Sequence, residues 1–169
     1  GNNKFFADND ERTIFFCKGA LETVKKLGWA PDIIHCQGWF ASLIPMYIKK
    51  LYADDPLFEN VKVIYSVFDN SFDGVLSDTI ANKLLYEKLE EKDVEGVKVP
   101  NINNLHKFAA DYADAVVQAS PEMDKDVLAH IKKSEKPFME YPGEEDYIDA
   151  YQDFYAQFIE EEEVVTTEE

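Results

Sequence analysis

Residues 31–47, PDIIHCQGWFASLIPMY, constrain the fold more than any other stretch. Pro31 and Asp32 form a turn pair, and Ile33, Ile34, His35 and Cys36 are a short apolar run suited to a buried parallel strand. The run stops at Gln37-Gly38. Beyond it Trp39, Leu43, Met46, Tyr47 and Leu51 recur at the spacing of an amphipathic helix. Strand, glycine turn and helix make one βα unit, and open α/β sheets bind ligands at the carboxyl ends of such strands. His35, Gln37 and Gly38 are therefore candidate site residues. The same residue types also suit a βα turn for backbone reasons alone.

The rest of the chain repeats this alternation. The spacing predicts a first helix over residues 9–27, capped by Asp8 or Asp10, with Phe16, Ala20, Val24 and Leu27 on its apolar face and Gly28 at its end. Asp54-Asp55-Pro56 ends the second helix. Residues 61–67, VKVIYSV, read as a second strand, parallel to the first. Residues 68–74 read as a loop, and a helix starts at Ser77 or Asp78 with Ile80, Leu84, Leu85 and Leu89 along one side. A helix over 101–112 and a strand over 115–118 follow. Ser120-Pro121-Glu122 then reads as the start of a further helix, with serine as N-cap. Residues 138–141 give a fourth strand. From about Glu144 a last helix gathers Tyr147, Ile148, Tyr151, Phe154, Tyr155 and Phe158 on one face, a docking stripe. Such alternation specifies a Rossmann-like, doubly wound α/β domain with a mainly parallel sheet in three α/β/α layers, over residues 1–159.

Charge divides the chain unevenly. Of its 34 acidic residues 12 lie in residues 140–169, where there is no Lys or Arg, leaving 22 acidic against 17 basic residues before them. Residues 160–169 read as an acidic, disordered tail. No basic stripe interleaved with aromatics is present, which argues against nucleic acid as a partner. No apolar run approaches the roughly 18 residues of a membrane span. Cys17 and Cys36 sit in apolar contexts, so buried free thiols in a cytoplasmic protein are expected. His106 and His130 have no metal-spaced neighbours, which gives zinc no site. The chain begins with Gly1 rather than Met, and the expectation is a tag remnant on an excised portion of a longer protein.

Three ordered blocks, over roughly residues 5 to 130, carry a resemblance. Residues 31–47 resemble the PD-h-h-H-x-H-D-W-H-x-x-L-x-P-x-Y segment of glycogen and starch synthases, h being apolar. Upstream, Asp8-Asn9-Asp10-Glu11-Arg12, Phe15-Phe16 and Ala20-Leu21-Glu22 are similar to that family's DN-x-x-R-F-x-F-F…A-L-E helix. Downstream, Asn104-Leu105-His106-Lys107, Tyr112-Ala113-Asp114-Ala115-Val116 and Ala119-Ser120-Pro121-Glu122 are similar to N-x-x-K…Y-A-D-x-V-x-x-V-S-P-x-Y. The resemblance implies one half of a two-domain GT-B fold and a retaining transfer of glucose from ADP-glucose or UDP-glucose to an α-1,4-glucan. It implies no metal and no cofactor. An α-glucan or a nucleotide sugar would be the ligand, and a separate protein is an open partner. The family's diphosphate-stabilising cations belong to its carboxyl-terminal domain, and its K-T-G-G loop lies upstream of the residues in this sequence.

The departures lie in the polar positions. His35 and Trp39 match, but Gln37 stands at the family's second histidine, Gly38 at its active-site aspartate and Phe40 at its last histidine. In the segment similar to T-V-H-N-L-x-Y-Q-G, Phe68 stands where the family has the histidine that contacts the transferred sugar, followed by Asp69 and Asn70. Phenylalanine can neither hydrogen-bond a hydroxyl nor share a proton. The favoured expectation is a synthase-like protein with a degenerate catalytic site, binding glucan or a partner in a cleft lined by His35, Gln37, Gly38, Trp39, Phe68, Asp69 and Asn70. The alternatives are a glucosyltransferase completed by a missing or separate domain, and an assembly module that uses the aromatic last helix.

Overall fold

The computed structural model describes residues 6–69 and 74–159. Asn70, one of the expected cleft residues, and the expected acidic tail lie outside them. Four strands, β1 (Ile33–Gln37), β2 (Lys62–Val67), β3 (Ala115–Gln118) and β4 (Phe138–Met139), form one sheet in the order β1-β2-β3-β4 with every pair parallel. The helices are α1 (Asn9–Leu27), α2 (Ile44–Met46), α3 (Ile80–Leu85), α4 (Ile102–Tyr112), α5 (Lys125–Lys133) and α6 (Tyr147–Ala156). The expected α/β architecture is thus present, with β4 shorter than the expected 138–141.

The strands alternate their side chains between two apolar layers. Val63, Tyr65, Val67 and Val116 face the larger layer with Cys17, Leu21, Met46, Leu105 and Ile131 of the helices. Ile64, Ala115 and Val117 face the other layer, which α6 covers with Phe154, Tyr151 and Tyr155. The expected stripe on α6 therefore divides. Phe154 is buried against the sheet, whereas Tyr147 and Ile148 are about half exposed.

Five local expectations are corrected. Asp8 does not cap α1; its carboxylate takes the Arg12 guanidinium at 2.9 Å, while Asp10 is buried inside the helix and accepts from Lys83 Nζ at 2.6 Å. The face of α1 that packs inward centres on Thr13, Cys17 and Leu21, with the expected Ala20 and Val24 partly buried against the core, whereas Phe16 and Leu27 lie exposed. Cys17 Sγ donates to the Phe40 carbonyl in the turn after β1. The single helix expected after Gly38 is a 3-10 turn (Trp39–Ala41), α2 and a π turn (Tyr47–Leu51). Pro45 has no N–H to continue an α ladder back to Ala41. Nor does the helix expected at Ser120 begin there: Asp124 caps α5 through the N–H groups of Asp126 and Val127, and Ser120 is used elsewhere. Similarly α3 starts at Ile80, because the Ser77 hydroxyl bonds to Thr79 in a turn.

Two polar contacts fix the sheet's entry side. Asp114 accepts the Val63 N–H at 2.7 Å and the Lys49 ammonium at 2.8 and 2.9 Å, joining the start of β3 to β2. Lys136 donates to the carbonyls of Ala110, Asp111 and Ala113, closing the end of α4.

Candidate functional site

The carboxyl ends of β1, β2 and β3 bring Gln37, Val67 and Gln118 to one edge of the sheet. Gly38 follows β1 with φ 71° and ψ 175°, a conformation essentially confined to glycine, and its N–H donates to the Ser66 carbonyl at 3.0 Å. The chain can therefore turn from strand to 3-10 helix within one residue. Trp39, half-buried, sets its ring edge-on to Phe40 at 5.2 Å, and Phe40 in turn meets Phe16 at 5.1 Å. Gln37 is exposed.

His35 lies one pleat inside this edge, on the α6 side. Its Nδ1 is 2.6 Å from the Tyr155 hydroxyl and its Nε2 2.7 Å from Ser66 Oγ, so both ring nitrogens are engaged. Burial disfavours the imidazolium and pulls the pKa down to about 4. The neutral imidazole thus bridges Tyr155 and Ser66. Its ring packs 5.8 Å from that of Tyr151, which connects it to the cleft.

Two hollows meet at Phe68. The first, about 210 Å³, is lined by Phe68, Ala119, Tyr141, Pro142, Gly143, Glu144, Tyr147 and Tyr151. Among the described residues its walls are four aromatic rings with one carboxylate and no Lys, Arg or His. The second, about 50 Å³, lies between β2 and helices α4 and α5, with Asp69, Asn103, His106 and Asp124 among its walls. Asp69 is exposed, and its N–H donates to Ser120 Oγ at 2.9 Å, which pins the start of the loop after β2 to that after β3. A hollow of about 370 Å³ lined by Pro31, Asp32, Asn60 and Lys62 opens at the amino ends of β1 and β2. Sheets of this kind place ligands at the opposite ends of their strands. Among the described residues no group of three or more His, Cys, Asp and Glu could hold a metal ion.

This geometry stands on a sequence that matches one family model, the starch synthase catalytic domain, over residues 1–136. The chain belongs to that family. It is similar to the glycogen synthase of Chlorobium limicola, with 38% identity over 112 residues, covering 66% of this chain and 22% of that protein. It is likewise similar to the glycogen synthase of Photobacterium profundum, with 32% identity over 130 residues, covering 77% of this chain and 25% of that protein. The chain thus spans about a quarter of the length of these relatives. Among solved structures, the catalytic domain of starch synthase IV from Arabidopsis thaliana, bound to ADP and acarbose, superposes with a TM-score of 0.62 at 20% identity, covering 82% of this chain and 30% of that one. The shared fold is this parallel α/β sheet.

Of the expected site residues in this starch synthase domain, Phe68 and Asp69 line hollows, and His35 reaches the first hollow through Tyr151. Gln37, Gly38 and Trp39 form the adjacent turn. Sequence reasoning passed over Tyr141, Glu144, Tyr147 and Tyr151, and over His106. The signal available for the tyrosines was their spacing at 147, 151 and 155, which also fits a docking stripe.

Proposed function

We propose that this synthase-family domain serves α-1,4-glucan metabolism in the cytoplasm by binding glucan at the carboxyl ends of its strands, without catalysing transfer itself. The observation that carries this reading is the first hollow: Phe68, Tyr141, Tyr147 and Tyr151 offer flat apolar faces for sugar rings, Glu144 offers an acceptor for hydroxyls, and among the described residues no lining residue is cationic. Such a lining suits a neutral saccharide and gives a diphosphate nothing to pair with. The loss of transfer is supported by residue 38, a glycine with no carboxylate, and by Phe68, which has no proton to share. The cytoplasmic placement is supported by Cys17 and Cys36, both free and buried, and no described helix is long and apolar enough to cross a membrane.

A second reading is favoured by the family match and by the quarter-length span of the relatives. On that reading the domain is completed by residues outside this chain, whose cations stabilise the leaving diphosphate. Calorimetric titration with maltohexaose, ADP-glucose and UDP-glucose separates the two. Heat with maltohexaose alone is the expected result. Binding of either nucleotide sugar moves the conclusion to the transferase, and silence with all three rejects both and leaves a protein-docking role.

A further inference from the structure

His106 is buried on α4, only 3% exposed, and its Nδ1 lies 2.8 Å from the hydroxyl of the fully buried Tyr65 on β2. Its other nitrogen, Nε2, has no hydrogen-bonding partner among the described residues. A buried polar atom left unpaired costs about 1–3 kcal/mol, so it calls for an explanation. His106 is also a wall of the 50 Å³ hollow behind Phe68, whose other polar walls are Asp69, Asn103 and Asp124.

We propose that this hollow takes one hydroxyl-bearing substituent of a neutral saccharide, with His106 Nε2 as its hydrogen-bonding partner. The inference rests on the saccharide reading above and adds a second contact on the far side of Phe68.

Three features select that chemistry. The volume holds a few heavy atoms, enough for a hydroxyl and its carbon and too little for a ring or a nucleotide. Asp69 and Asp124, both exposed, would repel a phosphate or carboxylate. The hydroxyl also fits either tautomer. If Tyr65 donates to Nδ1, then Nε2–H donates outward; if Nδ1–H donates to Tyr65, Nε2 accepts, and a hydroxyl can do either. Burial keeps the imidazole neutral in both cases, with a pKa near 4. Nε2 is closed to solvent at rest, so the substituent enters as the half-buried Phe68 or Met123 side chain shifts, a rotamer change common at binding sites.

Histidine-selective nitrogen-15 NMR on the whole chain tests this, alongside calorimetry. The His106 resonances are assigned by their loss in His106→Gln, or by elimination with His35→Gln and His130→Gln if that variant does not fold. Maltohexaose is expected to shift the His106 Nε2 signal and ADP to leave it unmoved, and His106→Leu should weaken maltohexaose roughly five- to tenfold, the worth of one hydrogen bond. Calorimetric heat with an unmoved Nε2 signal overturns the hollow and leaves the saccharide reading standing. A shift with ADP overturns the selection for a neutral group, and no heat with maltohexaose overturns both readings.

Discussion

His35 Nδ1 and the Tyr155 hydroxyl, 120 residues apart in the chain, lie 2.6 Å from each other. This bond ties β1 to α6, and α6 with the segment before it supplies most of the aromatic wall of the candidate cleft. Tyr155→Phe leaves Nδ1 without its partner and should cost about 1–2 kcal/mol. Urea unfolding reads the loss, and amide exchange should quicken in α6 before the sheet. Uniform exchange in both would show that the bond is not what seats the helix.

Stability should fall on acidification through the imidazoles. Burial lowers the pKa of His35 and of His106 to about 4, against about 6.5 in the unfolded chain. Between these values the unfolded chain binds more protons, so stability is full above about pH 6.5 and drains as pH falls towards 4. Each histidine contributes roughly 3 kcal/mol across that window. Urea unfolding at about pH 7.5 and about pH 5 should show a smaller difference in His35→Gln than in the parent chain. Equal differences would place the acid sensitivity elsewhere.

Asp114 should matter more than Lys49, although the two form an ion pair. Lys49 is about one-third exposed, and its contribution is the modest one of a surface cation, below about 1 kcal/mol. Asp114 also takes the Val63 N–H at 2.7 Å at the start of β2. Asp114→Ala removes that acceptor and should cost roughly 2–3 kcal/mol, against under about 1 for Lys49→Met. Thermal unfolding of the two variants gives the order, and a reversed order would refute it.

Gly38→Asp introduces the residue type that glycogen and starch synthases carry there, yet on the reading proposed above it should not produce transfer. At φ 71° and ψ 175° any side chain is strained, by about 1–3 kcal/mol. The expected outcome is a lower unfolding midpoint with no glucose transfer from ADP-glucose. Transfer activity in this variant would show that the carboxylate was the missing part.

Much of the fold was legible because it rests on local periodicity. The apolar runs at Ile33–Gln37 and Lys62–Val67, the glycine stop at Gly28 and the amphipathic spacing of α4 each express one element's own geometry. The helix start expected at Ser120 was misplaced because its hydroxyl is taken by the Asp69 N–H, a partner 51 residues away.

The motifs by themselves determined the family and the order of strands and helices, since both are properties of residues close together in the chain. Tertiary structure alone decided what the polar residues do. It set His35 between Ser66 and Tyr155, made the Asp114 of the Y-A-D block a sheet fastening, and placed His106 against a hollow. A hydrogen bond depends on where two side chains meet in space, and no period in the sequence records that for residues 30 to 120 positions apart.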